Sequence, residues 1–376
     1  MHILHIYKDY FPVLGGIENH LRDVAVGLAE RGIRVTVLVT NTNRATVIEQ
    51  SGSLQIIKAA RQLHVASTPL SWPMVMQARR LFGVDVVHLH FPYPPGDLVA
   101  RAVPDNPPLV ISYHSDIVRQ QGILRLYAPL LRATLARAAR ILVTSPAYLH
   151  SSAWLPPHAA RCTVLPFGVA LERFAAPDAA AVAAVRARYQ HAPLVLFVGR
   201  LRYYKGLHFL LEAMPQINQT HPDARLLIVG VGPEQERLQA QAHAAGISER
   251  VHFLGEVDDT TLPAIYAAAD VFVLPSHLRA EAFGIVQIEA QASGLPIVCA
   301  ELGTGTSFVT QHGRTGLVVP PADPVALARA ITVLLANPDL ARTLGAAGRR
   351  RAYAEFSQPV MLDRLQAVYQ DVVGHA

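Results

Sequence analysis

Short apolar runs rich in β-branched residues recur along the whole chain, and many are separated by segments with helical periodicity. After the first run, Ile17, Leu21, Val24 and Leu28 recur at a spacing that places all four on one stripe of a helix. Short strands without polar alternation, joined by such helices, are typical of parallel sheets covered on both faces. The chain is therefore predicted to be an α/β protein with strands over residues 1–7, 33–40, 84–90, 109–114, 140–144, 194–199, 225–230, 251–254, 270–275, 296–300 and 316–319.

The strand pattern begins anew about halfway along the chain. A length of 376 residues favours two domains, and an Ala- and Pro-rich stretch over 174–193 precedes a fresh first strand at 194–199. We predict two doubly wound, Rossmann-like domains over residues 1–190 and 191–356, with a C-terminal helix over 357–376 packing back on the first. Open sheets of this kind bind ligands beyond the carboxyl ends of their strands, so the site is expected between the two halves.

Composition excludes several classes of protein. Hydrophobic residues make up 51% of the chain and charged residues only 16%, which excludes disorder over most of its length. No apolar run approaches the ~18 residues of a membrane helix, and Lys8 and Asp9 introduce charge too early for a signal peptide. We therefore expect a cytoplasmic protein.

Positive charge is concentrated in the first half, where the net charge of residues 1–190 is +8, against −3 for residues 191–376. A basic face can meet nucleic acid, anionic lipid headgroups or a phosphorylated substrate, or it can simply be a solvated surface.

Two loops have the composition of a phosphate site. Gly15 and Gly16 follow the first strand and open a helix, where backbone N–H groups can approach an anion, although tight turns use the same pair. Arg200 and Lys205 follow the first strand of the second half. These cations could form a pyrophosphate clamp, or they could belong to an exposed basic loop. No Gly-x-Gly-x-x-Gly follows the first strand, and no Walker motif occurs, so dinucleotide oxidoreductases and NTPases are disfavoured.

Glu281 and Glu289 lie in a segment that leads from a strand into a helix. Eight helical steps would span about 12 Å, more than the roughly 5–9.5 Å between the paired carboxylates of a glycosidase. The two carboxylates are therefore better placed to contact two parts of one long ligand than to catalyse hydrolysis. Alternatively, Glu281 is only an acidic residue at the start of the helix and Glu289 is a solvated one.

Histidines mark the first half. His88 and His90 lie two apart on a strand face, as metal ligands can, but no third ligand is evident, and we predict no catalytic metal. His114 ends a strand, where a lone histidine is more often structural.

In combination, these segments resemble the retaining glycosyltransferases of family 4, which have the GT-B fold. The resemblance covers essentially the whole chain in order, and it implies transfer of a sugar from a nucleotide-sugar donor, held by the C-terminal domain, to an acceptor held by the N-terminal domain. It rests on Gly15-Gly16, Gly199-Arg200 with Lys205-Gly206, Glu281-Ala282-Phe283-Gly284 through Glu289, and Ser293-Gly294-Leu295-Pro296.

The resemblance implies roles for the charged residues. Arg200 and Lys205 would neutralise the donor diphosphate, Glu281 would contact hydroxyls of the transferred sugar and Glu289 those of the ribose. His114 would face the donor sugar near the reacting carbon.

The resemblance also implies backbone and base contacts. In the family, the segment that matches residues 253–257 contacts the base, so Val257 is a candidate for that contact. Gly15 and Gly16 would cap the diphosphate. Sugar and phosphate would be bound by the N–H groups of Phe283, Gly284, Ile285 and Val286.

The substrates are also implied by the resemblance. The amino-acid sequence of these motifs is most like that of bacterial mannosyltransferases of surface polysaccharide assembly. GDP-mannose is therefore the first candidate donor and a UDP-sugar the second. The implied acceptor is a saccharide or a lipid-linked molecule. No other cofactor and no nucleic-acid partner are expected. A basic amphipathic segment over 118–141 could lie on the anionic inner face of the plasma membrane, or its leucines could pack in the core.

Two other functions stay open from the sequence. A sugar-nucleotide epimerase can have the same fold, and a non-catalytic two-domain protein could close on a sugar or nucleotide.

Overall fold

A computed structural model describes residues 1–13, 15–65, 68–117 and 121–375, with the side chains of 121–125 excepted. The chain divides into two compact units, one formed by Met1–Gly168 with Gln358–Ala376 and the other by Val169–Ser357. The sequence pattern placed this boundary at residue 190. Residues 169–190 instead belong to the second unit, where Arg186 makes two hydrogen bonds to the Asp270 carboxylate, at 2.9 and 2.8 Å.

The first unit contains an eight-stranded sheet and a separate two-stranded hairpin. Its strands are β1 His2–Ile6, β2 Arg34–Thr40, β3 Val47–Ser51, β4 Leu54–Ala59, β5 Leu63–Val65, β6 Thr68–Leu70, β7 Val86–Phe91, β8 Leu109–Tyr113, β9 Arg140–Val143 and β10 Cys162–Val164. Its helices are α1 Gly16–Glu30, α2 Trp72–Ala78, α3 Pro94–Arg101, α4 Gln121–Arg137 and α5 Pro146–Ser151, with a 3₁₀ turn at Pro156–Arg161.

The strand order in this sheet is β10-β9-β8-β7-β1-β2-β4-β3, and β5 pairs with β6 alone. All neighbours in the large sheet are parallel except β3 and β4, which form an antiparallel edge. The order reverses between β1 and β7, so the switch point of the sheet lies there.

The second unit contains a six-stranded parallel sheet. Its strands are β11 Leu194–Val198, β12 Arg225–Val229, β13 Val251–Gly255, β14 Val271–Leu274, β15 Ile297–Ala300 and β16 Gly316–Val319. Its helices are α6 Glu172–Ala175, α7 Ala179–Arg188, α8 Leu207–Thr220, α9 Gln235–Ala244, α10 Leu262–Ala268, α11 Val286–Ala292, α12 Thr306–Val309, α13 Pro324–Ala336 and α14 Pro338–Glu355, with 3₁₀ turns at Tyr203–Lys205 and Ser248–Arg250.

The strand order of the second sheet is β13-β12-β11-β14-β15-β16, and every pair is parallel. Its first strand, β11, is buried along its whole length, as expected for a strand covered on both faces. The order reverses between β11 and β14, which puts the loops after these two strands side by side.

The last helix, α15 (Gln358–Gly374), belongs to the first unit. Its Tyr369 is buried, and the hydroxyl oxygen of Tyr369 lies 2.5 Å from Nδ1 of His88. Arg140 donates to Asp371 at 2.7 Å. A Cβ on Gly27 of α1 would come within 2.5 Å of Leu362, so the two helices are in close contact.

Candidate active site

The loops after β11 and β14 meet at the switch point of the second sheet. The N–H of His277 donates to the carbonyl of Tyr204 at 3.0 Å, which joins the two loops through the backbone. Gly206 has a φ of +71°, and a Cβ there would lie 2.0 Å from the carbonyl oxygen of Pro275. Glycine is therefore required at this position both by backbone conformation and by close approach.

Lys205 and Glu281 form a buried ion pair at this point. Nζ of Lys205 lies 2.5 Å from Oε2 of Glu281, and the two side chains are only 10% and 9% exposed. Ser276 donates to the same carboxylate oxygen at 3.0 Å, and the hydroxyl of Thr304 donates to the Glu281 carbonyl at 2.8 Å. Burial acts to lower the pKa of Lys205, but the Glu281 carboxylate and Tyr204 more than offset this, so the pKa lies above its usual value.

Arg200 lies in the same loop but differs in its surroundings. Its side chain is exposed, whereas Lys205 is buried. The Lys205 ammonium lies 3.8 Å from the place where a Cβ of residue 199 would be, which is an ordinary contact distance. The loop thus carries one ammonium that already has a carboxylate partner and one guanidinium that faces solvent.

The four predicted backbone donors lie at the start of α11. Phe283 and Gly284 are buried, Ile285 and Val286 are half-buried, and Gly284 has a φ of +79°. The backbone bonds that begin the helix come from the N–H of Gln287 to Gly284 and from the N–H of Ile288 to Ile285. The N–H groups of 283–286 therefore precede the bonded turns of the helix.

Glu289, one turn into α11, is held by two residues that lie elsewhere in the sequence. Tyr266 donates to Oε2 at 2.9 Å, and Arg173 donates to Oε1 at 3.2 Å while also pairing with Asp259. Burial raises the pKa of Glu289, opposed by the Tyr266 hydrogen bond and the charge of Arg173. Glu289 is thus not the solvated residue that the sequence left as one interpretation.

Val257 is half-buried in the loop after β13. The next residue, Asp258, accepts hydrogen bonds from the backbone N–H groups of Thr260 and Thr261, at 2.9 and 2.8 Å. These bonds shape the loop in which Val257 is displayed.

In the first unit, the Gly15-Gly16 turn has an acidic neighbour. Gly15 is the N-cap of α1, and a Cβ there would lie 2.2 Å from Oε2 of Glu18. Lys8 lies 3.9 Å from the other carboxylate oxygen. Burial raises the pKa of Glu18, and its own backbone N–H and Lys8 oppose this. A Cβ on Gly16 would meet nothing within 4 Å, so space is open beside Gly16.

His114 follows β8 and is buried. Its ring is stacked on that of Phe167, with centroids 5.5 Å apart and planes at 6°. Its Nε2 lies 3.0 Å from Nδ1 of His90. The sequence did not reveal this partner, although His90 had been singled out.

His88 and His90 have a third histidine beside them, His5 of β1, which the sequence analysis missed. Ligand nitrogens of the three lie within 4.8 Å of one another. Both nitrogens of His88 have hydrogen-bond partners, at Tyr369 and Ser112. The absence of a catalytic metal stays a prediction.

The predicted membrane segment, 118–141, lies partly outside the described residues, which exclude 118–120 and the side chains of 121–125. In the described part of α4, Leu131 and Leu135 are buried in the core, whereas Leu126 is 86% exposed. No single helix among the described residues is long and apolar enough to cross a bilayer. The helices Pro324–Ala336 and Pro338–Glu355, which are bent against each other, reach the length and apolar composition of a membrane span only when they are taken together.

Each unit contains one doubly wound sheet, as in the GT-B fold of glycosyltransferases. The solved sucrose-phosphate synthase from Thermosynechococcus elongatus matches with a TM-score of 0.81 and 28% identity, over 100% of both chains. A structure of HepE from Anabaena in complex with UDP matches in fold, with a TM-score of 0.79 and 21% identity over 99% of this chain and 100% of that one.

Sequence comparison identifies the family. A model described as Glycosyltransferase Family 4 matches residues 14–173, and one described as Glycosyl transferases group 1 matches residues 181–351. The chain is 39% identical to the D-rhamnosyltransferase WbpZ of Pseudomonas aeruginosa, over 95% of this chain and 92% of that protein. It is 33% identical to the O-antigen chain mannosyltransferase C of Escherichia coli, over 98% of both.

The chain belongs to glycosyltransferase family 4. The sequence-based predictions of its fold, family and transferase activity are confirmed, while the roles of individual site residues stay predictions.

Proposed function

We propose that this enzyme transfers a mannose-type hexose, with retention, from GDP-mannose to a saccharide or lipid-linked acceptor in the synthesis of a cell-surface polysaccharide. The names of its relatives support this: one is an O-antigen chain mannosyltransferase, and another, 31% identical over 96% of both chains, is a GDP-mannose-dependent phosphatidylinositol monomannoside mannosyltransferase. D-rhamnose, named in a third relative, is mannose without the 6-hydroxyl. The shared sugar configuration is therefore that of mannose.

The observation that carries the proposal is the buried Lys205–Glu281 pair at the switch point of the second sheet. A buried ammonium is costly unless it meets a countercharge, and here a carboxylate supplies one before any ligand binds. A donor diphosphate brings further negative charge, so Lys205 can bridge the phosphate and Glu281. Glu281 then keeps a free oxygen to accept a hydrogen bond from a sugar hydroxyl.

The remaining contacts would hold the other parts of the donor. Arg200 closes on the diphosphate from its exposed position, and the N–H groups of 283–286 bind sugar and phosphate. Glu289, fixed by Arg173 and Tyr266, accepts hydrogen bonds from the ribose. Val257 contacts the base. Gly15 and Gly16 of the first unit cap the diphosphate, and His114 faces the transferred sugar.

The rate enhancement would be mainly electrostatic. As the anomeric C–O bond breaks, negative charge grows on the leaving diphosphate, and prepositioned cations and N–H donors stabilise it more than they stabilise the bound donor. We assign front-face attack, in which the donor phosphate accepts the acceptor proton. A covalent sugar trapped on any Asp or Glu of this chain would refute that assignment.

A thermal-shift screen with UDP, GDP, ADP and their sugars tests the donor. A ligand at 100 times its Kd stabilises the native state by about 2.7 kcal/mol, and we expect GDP and GDP-mannose to give the largest shifts. Arg200→Met should weaken this shift, whereas Arg202→Met is a matched control, an exposed arginine two residues away in the same loop. A larger shift with UDP or ADP would overturn the choice of donor.

Product analysis separates transfer from the alternatives. Incubation with GDP-mannose and a lipid-linked or saccharide acceptor should yield GDP and a lengthened acceptor. An epimerised sugar from donor alone would indicate an epimerase, and binding without turnover a non-catalytic protein.

We further propose a cytoplasmic enzyme that contacts an anionic bilayer through the first unit. Apolar side chains beside the β5–β6 hairpin, α2 and α3 are exposed, Trp72 by 59%, Leu63 by 62% and Leu98 by 56%. The groove that they line also holds Arg79 and Arg101, and no acidic residue occurs among its described lining. This composition suits anionic headgroups above acyl chains.

Liposome sedimentation tests the bilayer contact. The enzyme should pellet with vesicles of phosphatidylglycerol but not of phosphatidylcholine, and less so at high salt. Trp72→Ser should reduce pelleting, while Val333→Ser, at an exposed apolar residue of the second unit, should not. Equal pelleting of both variants would contradict the assignment.

A further inference from the structure

Five buried histidines cluster on one face of the first sheet, and only His114 has a part in the proposed reaction. His5 is aligned with His88 on the neighbouring strand, and His90 with Ser112. Since alternate residues of a strand point to the same face, His5, His88, His90, Ser112 and the following His114 project together. His20 of α1 adds a ring edge-on to His114, at 5.6 Å.

Three of these rings form a hydrogen-bonded chain. Nδ1 of His5 lies 3.0 Å from Nε2 of His90, and Nδ1 of His90 lies 3.0 Å from Nε2 of His114. Nε2 of His5 is buried and has no hydrogen-bond partner in the described part of the structure. The chain of hydrogen bonds therefore ends at His5 on one side and at His114 on the other, and the proposed function places His114 at the donor sugar.

Burial favours the neutral form of all three rings. Burial lowers the pKa of His5 to about 3, with a smaller contribution from His20. Burial also brings the pKa values of His90 and His114 well below the usual value, and neighbouring imidazoles lower them further. Each ring thus carries one N–H and one lone pair.

A neutral His90 can donate through only one nitrogen, so the chain has two possible directions. In one, His5 donates to His90 and His90 donates to His114, which leaves a lone pair at Nε2 of His5 without a partner. In the other, His114 donates to His90 and His90 to His5, which leaves a buried N–H at that nitrogen. Among the backbone groups of folded proteins, orphaned buried N–H groups are rarer than under-satisfied acceptors, and we apply the same preference to the imidazole nitrogen. The first direction is therefore favoured.

We propose that His90 is a positioning residue that holds His114 as the Nδ1–H tautomer, so that His114 offers an N–H donor to an oxygen of the transferred sugar. His5 fixes the direction of the chain by donating to His90. The inference about the tautomer follows from the described contacts, and its consequence for catalysis rests on the proposed function.

A metal bound to His5, His88 and His90 explains the cluster less well. A divalent ion would have to replace hydrogen bonds that His88 and His90 already make at both of their nitrogens. The set also contains no carboxylate, so the ion's charge would be buried without a countercharge. The hydrogen-bonded chain satisfies these nitrogens without either cost.

Two variants of His90 test whether its contact with His114 supports catalysis. An asparagine amide occupies the place of Nδ1 and can still donate to His114, whereas a glutamine amide reaches the place of Nε2 and serves only His5. We expect His90→Asn to retain most of the wild-type kcat. For His90→Gln we expect a loss on the order of 10²-fold, as for a misaligned catalytic contact, with KM for the donor little changed. Equal losses in two variants that melt alike would overturn the proposal.

A spectroscopic measurement tests the tautomer without any assay of activity. Long-range ¹H–¹⁵N correlation spectra of the ¹⁵N-histidine-labelled wild-type chain, with the His114 signals assigned by their loss in His114→Gln, should show a proton on Nδ1 and a hydrogen-bonded, unprotonated Nε2. A proton on Nε2, or one equivalent of metal in the purified protein that is lost in His5→Asn, would overturn the inference. If the tautomer is as expected but no donor is turned over, the proposed function fails and the tautomer assignment stands.

Discussion

Replacing Glu281 by glutamine removes the charge that balances a buried ammonium while it keeps the shape of the side chain. The Lys205 side chain is 10% exposed and lies 2.5 Å from the carboxylate, so its charge would remain buried and unpaired. Breaking a buried pair from one side costs about 3–5 kcal/mol. This cost has an upper limit because Lys205 can lose its proton instead. Deprotonation at pH 7 costs ~1.4 kcal/mol for each pH unit between 7 and the usual lysine pKa, which gives about 5 kcal/mol in total.

We therefore expect Glu281→Gln to lower the melting temperature of the second unit by about 6–20 °C, at 2–4 °C per kcal/mol for a unit of this size. The loss should shrink toward pH 10. In the variant, the folded pKa of Lys205 falls below its unfolded value, so stability rises with pH, whereas the raised pKa in the wild type makes stability fall there. Thermal denaturation at pH 7 and pH 10 measures both effects.

The double variant Lys205→Met/Glu281→Gln is the control, because it removes both charges and should recover much of the lost stability. GDP should also raise the melting temperature of Glu281→Gln more than that of the wild type, since its diphosphate meets an unpaired ammonium. A loss below about 1 kcal/mol at pH 7 would refute the buried pair. An equal GDP shift in both proteins would refute the role of Lys205 in binding the diphosphate.

Two further predictions concern stability. Burial raises the pKa of Asp97 to about 6, although Tyr127 donates to it at 2.6 Å. The stability that goes with the raised pKa is fully present below the unfolded value of 3.8 and is lost as pH rises to about 6. Asp97→Asn should therefore stabilise the chain by about 1–3 kcal/mol at pH 8 and not at pH 3, in urea melts at the two values. Gly206→Ala should cost at least ~2 kcal/mol, from a positive φ and a clash with the Pro275 carbonyl. Gly246→Ala, with φ +69° and open space, should cost only ~1 kcal/mol, and equal losses in thermal melts would contradict the clash.

The second sheet was predictable because its strands are parallel and the four central ones are almost entirely buried. All six of its strands coincide with apolar runs in the sequence, for instance Leu194–Val198, in which every residue is buried. In the first sheet, β3, β4 and β10 were missed. Val47–Ser51 is exposed along its whole length and mixes polar with apolar residues, so no pattern of burial distinguishes this edge strand from a loop.

Some residues of the candidate site were likewise predictable from the sequence, and others were not. Glycines, Lys205 and Glu281 were found because each follows a predicted strand, and the carboxyl ends of parallel strands converge. The partners of Glu289 were missed, since Arg173 and Tyr266 lie 116 and 23 residues away from it. No local pattern records which remote side chain will satisfy a buried carboxylate.

The sequence by itself determined the fold class, the family and the strand ends at which charge and glycine gather, because hydrophobic periodicity and short motifs are local properties of the chain. Only the tertiary structure decided that Lys205 is neutralised by Glu281 and that His5, His90 and His114 form one hydrogen-bonded chain. Pairing between distant residues depends on the register of neighbouring strands and on the packing of helices over them, and these are set by the whole fold.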